Sequence, residues 1–380
     1  MPLRALRAQD AKRPACIPTL SVGMQAGEER NNMKKVRIGF IGAGWWATTN
    51  HIPLLAKRDD VELVGVCRLG KEMLQTIKET FGFEFATEDY RELLQQGLDG
   101  VVVTSPHHVH YEHARAALEA GCHVMVEKPM TLTAKEAWQL VELADAHKVE
   151  LLVPYGWHYK PFIQQAKQLM SQDVVGKVEY VLCHMASPTL SLIGGKGAPP
   201  SQWTPTIAEP DPNTWQNPAQ GGGYAHGQVT HSSALLFWLT GLRAQEVTCR
   251  MSAPNAKVDL YNAATVTFTN GALGTISGAS TLPDGSKYQV DIRIFGDEGV
   301  LLLDVERERV EVRRHDGQNE ALTILPNAGD YDCDVPPHRF IELLQGHGVN
   351  ESPGEVAARS VELIDAMFRS AVAGGQPVLV

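Results

Sequence analysis

The sequence predicts an α/β protein in which a doubly wound parallel sheet is followed by an α+β domain with a mostly antiparallel open sheet. Three observations lead to this prediction. Short β-branched runs alternate with amphipathic segments over residues 34–156, strand-like runs with hairpin signals dominate residues 157–380, and the length exceeds that of one ordinary domain. Residues 1–33, which hold several Arg and Lys, are expected to form a flexible extension before the first domain.

The first domain is predicted from five β-branched runs separated by helical segments. Residues 113–121 and 133–148 place apolar side chains at i, i+3, i+4 and i+7, which is the spacing of a helix with one buried face. Strands that alternate with helices form right-handed βαβ units and therefore a parallel sheet covered on both faces. The five runs are VRIGFIG, VELVGVC, GVVVTS, HVMVEK and VELLVP.

The second domain is predicted from strand-like segments that follow a helix over 161–171. Asn270-Gly271 and Asp316-Gly317 are hairpin-turn dipeptides, so the strands around them are expected to be antiparallel. Residues 186–220 are rich in Pro, Gly and Trp and are long enough for a functional loop. Further helices are predicted over 228–239, 337–345 and 354–373, with the last packing back toward the first domain.

Composition narrows the class of ligand. The net charge of −10 disfavours nucleic acid and anionic membrane surfaces, and no apolar run approaches the ~20 residues of a membrane span. The six cysteines are scattered without a C-x-x-C pair, which is typical of reduced thiols in a cytoplasmic protein. The histidines of SPHHVHYEH and the acids of DYDCDVPPHR lack zinc-ligand spacing, so no metal is expected. A small molecule is the expected ligand.

The segment GAGWWA, residues 42–47, indicates a dinucleotide site. In G-x-G-x-x-A between a strand and a helix, the first glycine allows a tight turn and the second lets the backbone approach a pyrophosphate. The start of the helix then directs free N–H groups at the phosphates. We expect Gly42, Gly44, Trp45 and Trp46 to contact the cofactor.

Arg68 bears on the choice between NAD and NADP. NAD enzymes usually have Asp or Glu near this position, at the end of the second strand, to bind the ribose 2′-hydroxyl. A guanidinium cannot accept a hydrogen bond from that hydroxyl, but it pairs well with a 2′-phosphate. The sequence therefore favours NADP over NAD; an arginine that stacks on adenine in an NAD enzyme is the alternative.

Four short motifs in order resemble those of the Gfo/Idh/MocA oxidoreductase family. They are the glycine loop, Ser105-Pro106 with His110, the EKP triplet at 127–129, and GGG at 221–223 followed by His231 on a helix. The resemblance runs from about Lys34 to the C-terminus. It implies a Rossmann domain, a second domain whose open sheet often forms a homodimer or homotetramer interface, and hydride transfer between NAD(P) and a secondary alcohol or ketone of a sugar or cyclitol.

The resemblance also implies roles for individual residues. Lys128 would hold the reacting oxygen and share its proton, and His231 would act as a base with a pKa near that of an ordinary histidine, so these two are the expected catalytic residues. Removing the hydroxyl proton as hydride leaves requires such a base and a cation beside the developing alkoxide. The residues expected on the cofactor side are Ser105, Pro106, His107, His110, Glu127 and Lys128.

The chain departs from the family pattern at Gly227, where the family often has an Asp four residues before the histidine. Gln228, three residues before His231, is expected to share its helix face but cannot take up a proton. Sugar rings stack on aromatic faces, and about two of Trp157, Tyr159, Trp203, Trp215 and Tyr224 are expected in the pocket. The expected substrate contacts are Gln228, His226, Trp157, His158, Tyr159 and Trp215.

The function that follows is an NAD(P)-dependent sugar or glycoside dehydrogenase, with ring C3 as a plausible target by analogy. Three alternatives remain open at this point. They are an oxidoreductase whose tightly held cofactor is recycled between two sugars, an inositol or cyclitol dehydrogenase, and an NADP-sensing regulatory protein without catalysis, which the missing Asp would favour.

Overall fold

The computed structural model of the chain describes residues 34–195 and 207–380. The expected extension 1–33 and the side chain of Trp203 therefore lie outside the described residues. Among those that are described, no helix is both long and apolar enough to cross a bilayer.

The first half forms a six-stranded parallel sheet with strand order β3-β2-β1-β4-β5-β6. The strand order reverses at this sheet's centre, since β2 and β3 follow β1 on one side and β4 to β6 follow on the other. Ligands of such sheets bind at the carboxyl ends of the strands beside this point. The strands are β1 Val36–Ile41, β2 Val61–Cys67, β3 Phe85–Thr87, β4 Gly100–Val103, β5 His123–Val126 and β6 Leu151–Leu152.

The prediction of a doubly wound parallel sheet is confirmed, but the five predicted runs miss β3. This strand has only three residues, pairs with Gly65–Cys67 of β2, and is too short to show a hydrophobic period. The helices of this half are α1 Ile52–Leu55, α2 Lys71–Phe81, α3 Tyr90–Leu94, α4 His110–Glu119 and α5 Ala134–His147.

The second half forms a nine-stranded sheet with order β14-β13-β12-β11-β7-β10-β9-β8-β15. Only the β7–β10 pair is parallel within the described sheet, so the expected mostly antiparallel arrangement is confirmed. The strands are β7 Val178–Ala186, β8 Ala244–Ser252, β9 Tyr261–Phe268, β10 Leu273–Ala279, β11 Gln289–Gly296, β12 Gly299–Asp304, β13 Arg309–Arg314, β14 Glu320–Ala321 and β15 Val378–Leu379.

The four predicted helices of the second half begin and end within two residues of their predicted bounds, and two short helices, α7 and α8, lie in the segment expected to be a long loop. The long helix after the GGG segment is preceded by a π-helical turn, Ala225–Val229, which the sequence pattern does not predict. Such turns are rare and occur often at functional sites. The helices are α6 Pro161–Ser171, α7 Leu190–Gly194, α8 Pro212–Gln216, α9 Thr230–Thr240, α10 Val335–Leu344 and α11 Gly354–Val372.

Helix α11 joins the two sheets. Ala357, Ala358 and Val361 lie in the apolar core beneath the first sheet, whereas Leu363 and Met367 lie in the core beneath the second. Both sheets therefore belong to one compact unit, Lys35–Val380. The GGG segment and α9 are held against the carboxyl edge of the first sheet by this packing.

Candidate active site

A groove of about 660 Å³ runs along the carboxyl edge of the first sheet, and we call it the dinucleotide groove. Gly42 adopts φ 86°, and a Cβ there would lie 2.2 Å from the Cα of Ser105, so this position requires glycine. A Cβ on Gly44 would meet nothing closer than 3.8 Å, which leaves its backbone open to the groove. The groove lies in the size range of cofactor sites, and its residues fit a dinucleotide.

Every residue that the sequence assigns to the cofactor lines this groove. Arg68 lies at its edge, where Nη1 donates to Ala43 O (3.2 Å) and Nε donates to Leu69 O (3.1 Å). Burial lowers the pKa of Arg68, yet a guanidinium stays protonated in proteins. The assigned residues that line the groove are Gly42, Gly44, Trp45, Trp46, Arg68, Ser105, Pro106, His107, His110, Glu127 and Lys128.

Two buried histidines tie the loops of the groove together. The ring of His110 lies between two backbone carbonyls, with Nδ1 2.8 Å from Pro129 O and Nε2 2.6 Å from Ser105 O. His107 Nδ1 lies 3.0 Å from Gly221 O and so reaches the GGG segment. Burial lowers the pKa of both rings. We therefore assign them a structural role and not one in proton transfer.

The EKP triplet is fixed by a histidine that the sequence analysis did not single out. His51 Nε2 lies 2.7 Å from Glu127 Oε1, and Glu127 Oε2 accepts the backbone N–H of Lys128 (3.1 Å). Burial acts to raise the pKa of Glu127, but His51 and Lys128 outweigh it and bring that pKa below its ordinary value. An ionised Glu127 therefore holds the backbone from which Lys128 projects.

The Lys128 ammonium is held by a backbone carbonyl. Nζ donates to Gly227 O (3.1 Å) and lies 5.2 Å from the ring centroid of Trp215. Burial lowers the pKa of Lys128, although the charge of Glu127 opposes the shift. The carbonyl and the aromatic ring thus occupy the surroundings in which the family pattern has a carboxylate.

Lys128 and His231 line one small cavity beside the groove, which we call the inner pocket. The groove and the inner pocket share Trp45, Trp46, Lys128 and Trp215, so the two spaces adjoin. The inner pocket is lined by Trp45, Trp46, Lys128, Trp157, Leu192, Trp215, Gln228, His231, Tyr288 and Tyr331.

His231 is enclosed by aromatic rings. Tyr155, Trp157 and Tyr331 each present an edge-to-face contact, with centroid distances of 5.5, 5.6 and 5.4 Å. Burial, followed by the nearby charge of Lys128, lowers the pKa of His231 well below its ordinary value. The prediction of an ordinary pKa is therefore wrong. A neutral imidazole at physiological pH is the form that can accept a proton.

Trp215 borders the position at which the family often has its Asp. A Cβ on Gly227 would lie 3.5 Å from the Trp215 ring, so a side chain at this position would contact that ring. Gln228 and His231 line the same pocket, while Nδ1 of His231 has no hydrogen-bond partner in the described part of the chain. Aromatic packing, with no carboxylate, orients the ring of His231.

Three residues expected to contact substrate, His226, His158 and Tyr159, do not line the inner pocket. His226 stacks on Phe368 (4.6 Å, 24°) on the far side of the π-helical turn, and burial lowers its pKa to about 4. His158 stacks on Trp238 and its Nδ1 lies 3.0 Å from Glu351 O. Side chains rotate by about 120° per residue in the 3₁₀ turn 156–159, so Trp157 faces the pocket while His158 and Tyr159 do not.

The remaining aromatic candidates divide similarly. Trp157 and Trp215 line the inner pocket, whereas Tyr224 is fully buried in the second core, where its hydroxyl donates to Met185 O (3.3 Å). Tyr288 and Tyr331 line the pocket but were not predicted. Tyr331 belongs to DYDCDVPPHR, a segment whose acidic residues suggest only metal binding at the level of sequence. In the described residues no group of three or more His, Cys, Asp or Glu could hold a metal ion.

A dinucleotide groove that opens on a buried lysine and a neutral histidine defines an NAD(P)-dependent dehydrogenase. Residues 36–155 match the family described as an oxidoreductase family with an NAD-binding Rossmann fold, and residues 163–302 match the GFO/IDH/MocA C-terminal domain. Together the two matches cover more than half of the chain, which belongs to the Gfo/Idh/MocA family of oxidoreductases.

Several family members named for an activity are similar in sequence. D-glucoside 3-dehydrogenase of Escherichia coli is 35% identical over 146 residues, which are 38% of this chain and 41% of that protein. The alignment thus spans less than half of that relative. Levoglucosan dehydrogenase of Pseudarthrobacter phenanthrenivorans is 22% identical over 311 residues, covering 72% of this chain and 75% of the relative.

Solved structures support the fold. Levoglucosan dehydrogenase in complex with NADH and levoglucosan superposes with a TM-score of 0.71 at 18% identity, covering 91% of this chain and all of that one. An inositol dehydrogenase homolog from Azotobacter vinelandii, complexed with NADH and myo-inositol, gives 0.70 at 21% identity and covers 92% and 98%.

Proposed function

We propose that this protein oxidises a secondary ring hydroxyl of a sugar or glycoside, with Lys128 and His231 handling the hydroxyl proton. The observation that carries the proposal is that both side chains line one aromatic pocket adjoining the dinucleotide groove. Relatives named for glucosides and levoglucosan support a carbohydrate substrate. Ring C3 is our choice of target because it is the carbon in the name of the glucoside relative.

The dinucleotide, when bound, supplies the acceptor for the hydride that leaves the substrate carbon. The chain's own residues handle the proton that the same carbon's hydroxyl must lose, so that the C–O single bond becomes a carbonyl. Neutral His231 takes this proton, since its low pKa keeps it unprotonated in the resting enzyme. Lys128 donates a hydrogen bond to the oxygen and stabilises the negative charge that develops there.

The walls of the inner pocket suit a neutral ring. Trp157 and Trp215 give the pocket apolar aromatic walls against which the C–H groups of a pyranose can pack, and Gln228 can both donate to and accept from its hydroxyls. No arginine lines the inner pocket in the described residues, so a substrate carboxylate or phosphate has no bidentate partner there.

The test is a panel of glucose, methyl glucoside and myo-inositol, each with NAD⁺ and NADP⁺, followed by nicotinamide absorbance. We expect oxidation of at least one pyranose, and loss of about 100-fold or more in kcat in Lys128→Met. Lys135→Met, an exposed lysine on α5, is the matched control and should keep the parent rate.

Two results would favour an alternative function, and the first of them would contradict the proposal. Cofactor binding without turnover of any sugar would favour the regulatory protein. Turnover by the protein as purified, with no added nicotinamide and with cofactor absorbance already present, would favour the self-recycling oxidoreductase.

A further inference from the structure

A third cavity, of about 480 Å³, adjoins the inner pocket, and we call it the outer chamber. Its walls come from four segments that are distant in sequence. They are residues 45–50 just before α1, 285–288 between β10 and β11, 305–306 after β12, and 329–334. None of the catalytic side chains lines it.

Four aromatic side chains are common to the outer chamber and the inner pocket: Trp45, Trp46, Tyr288 and Tyr331. Trp45 and Trp46 pack edge to face at 5.5 Å, and Tyr288 and Tyr331 lie 6.1 Å apart. Since these rings border both spaces, a molecule held at Lys128 and His231 has the outer chamber as its neighbour. Trp45 and Trp46 also line the dinucleotide groove, so these two tryptophans border all three spaces.

We propose that the outer chamber binds the aglycone or second ring of a glycoside whose pyranose ring is oxidised in the inner pocket. This inference rests on the proposed function and specifies its substrate as a glycoside in preference to a free monosaccharide. Aromatic rings at the junction stack on a second ring, and the polar groups beyond them bind its hydroxyls or amines.

The charges of the outer chamber select among aglycones. Its lining has four carboxylates, Glu306, Asp330, Asp332 and Asp334, against one ammonium, Lys287. Lys287 pairs with Asp330 at 3.0 Å, and Asp332 pairs with Lys160 from outside the lining. Within the described residues neither Glu306 nor Asp334 forms an ion pair with Lys or Arg, although Glu306 accepts a hydrogen bond from Gln289 (3.2 Å).

This excess of negative charge favours a neutral or cationic aglycone and repels an anionic one. Because these carboxylates are partly exposed, water and salt weaken the repulsion, so the effect on specificity is moderate. A sugar phosphate or nucleotide-linked sugar is therefore a poor substrate, and a glycoside with an aryl or amino group is a good one.

The test compares four probes in the full-length enzyme with saturating cofactor: methyl, phenyl, 2-aminoethyl and carboxymethyl β-D-glucosides. We expect kcat/KM for the phenyl glucoside to exceed that for the methyl glucoside by about fivefold, from aromatic stacking. The aminoethyl glucoside should exceed the carboxymethyl glucoside by about threefold or more at low salt.

Two sets of variants locate the effect. Ser286→Trp places a large side chain in the outer chamber and should bring the phenyl-to-methyl ratio of kcat/KM close to one, whereas Ser286→Ala should keep the parent ratio.

Glu306→Gln with Asp334→Asn should reduce the aminoethyl-to-carboxymethyl ratio of kcat/KM about threefold. The matched control, Glu142→Gln with Asp145→Asn, removes the same charge from the exposed face of α5 and should leave both ratios unchanged. If Ser286→Trp does not fold, the charge variant still tests the chamber.

The outcomes separate this inference from the proposed function. Oxidation of methyl glucoside with equal kcat/KM for all four probes, and no change in either variant set, would overturn the outer chamber as a subsite and leave the proposed function intact. Failure to oxidise any sugar or glycoside would overturn both.

Discussion

At the scale of single residues, Gly227 and Trp215 distinguish this chain from the family pattern. The Trp215 ring lies 3.5 Å from where a Cβ of residue 227 would be, and the Gly227 carbonyl accepts a hydrogen bond from Lys128. A lysine bonded to a neutral carbonyl lacks the ion pair that would raise its pKa. Burial lowers the pKa of Lys128, and the charge of Glu127 only partly offsets that shift.

Restoring the carboxylate should shift the pH dependence of the reaction. In Gly227→Asp with Trp215→Ala, where the second change makes room, the new charge beside Nζ should raise the pKa of Lys128. We expect the alkaline limb of the kcat profile to move up by about one pH unit. Gly227→Asn with Trp215→Ala has the same shape without the charge, and an equal shift in that control would contradict the explanation.

Arg68 is the residue on which cofactor choice depends. Its guanidinium contacts only backbone carbonyls among the described residues and is available to a 2′-phosphate. We expect Arg68→Ala to raise the Kd for NADP⁺ at least about tenfold, since charge-assisted hydrogen bonds to phosphate are lost, and to change the Kd for NAD⁺ little. Tighter binding of NAD⁺ than of NADP⁺ by the parent would reject this role.

At the scale of elements, the π-helical turn Ala225–Val229 separates two environments. Gln228 and the Gly227 carbonyl face the inner pocket, while His226 faces Phe368 on α11. Asp259 holds the start of the turn, since its Oδ2 accepts the Ala225 N–H (2.9 Å). His226 is therefore a buried titratable group on the element that carries the site.

His226 should make stability depend on pH. Its pKa is about 4 in the folded protein against an ordinary value of 6.5, so the unfolded chain binds more protons between these values. The free energy of unfolding should fall as pH decreases below 6.5, and this group alone should account for about 1.4 kcal/mol between pH 7.5 and 5.5.

Denaturant unfolding of His226→Leu at both pH values measures this contribution. The loss of stability on acidification should be smaller than in the parent by about that 1.4 kcal/mol. His147→Leu, at an exposed position at the end of α5, should leave the loss unchanged. An unchanged loss in His226→Leu would show that the buried imidazole does not cause it.

At the scale of the whole molecule, the second sheet leaves an apolar patch on its open face. Tyr180, Leu273 and Phe295 lie in register on adjacent strands and are 39%, 56% and 38% exposed. We propose that this face forms the interface of a homodimer or homotetramer. Light scattering should show an oligomer for the parent and a monomer for Leu273→Lys with Phe295→Lys.

Val349→Lys with Leu325→Lys changes two other exposed apolar residues outside the nine-stranded sheet and should remain oligomeric. A monomeric parent would refute the interface.

The sequence predicts the framework more completely than the site. Apolar residues recur every second position in a strand with one buried face and about every 3.6 positions in such a helix. These patterns predict the long strands and helices. The three-residue β3 and the π-helical turn are too short to have a period. GAGWWA and EKP predict where the dinucleotide groove lies, because the conformation of a glycine loop and the end of a strand are both visible in the local sequence. Tyr288 and Tyr331 reach the pocket, and His51 reaches Glu127, only through tertiary packing. His226 and His158 are turned away from the pocket by rotation within single turns.

The most direct test of the central claim is the rate of hydride transfer in His231→Gln at saturating cofactor and glycoside. We predict that kcat falls about 100-fold or more because the neutral base is lost, while the cofactor Kd stays within about threefold of the parent value. His147→Gln makes the same change at an exposed position and should keep the parent rate. If His231→Gln retains most of the parent kcat, His231 is not the base and the proposed proton transfer is wrong.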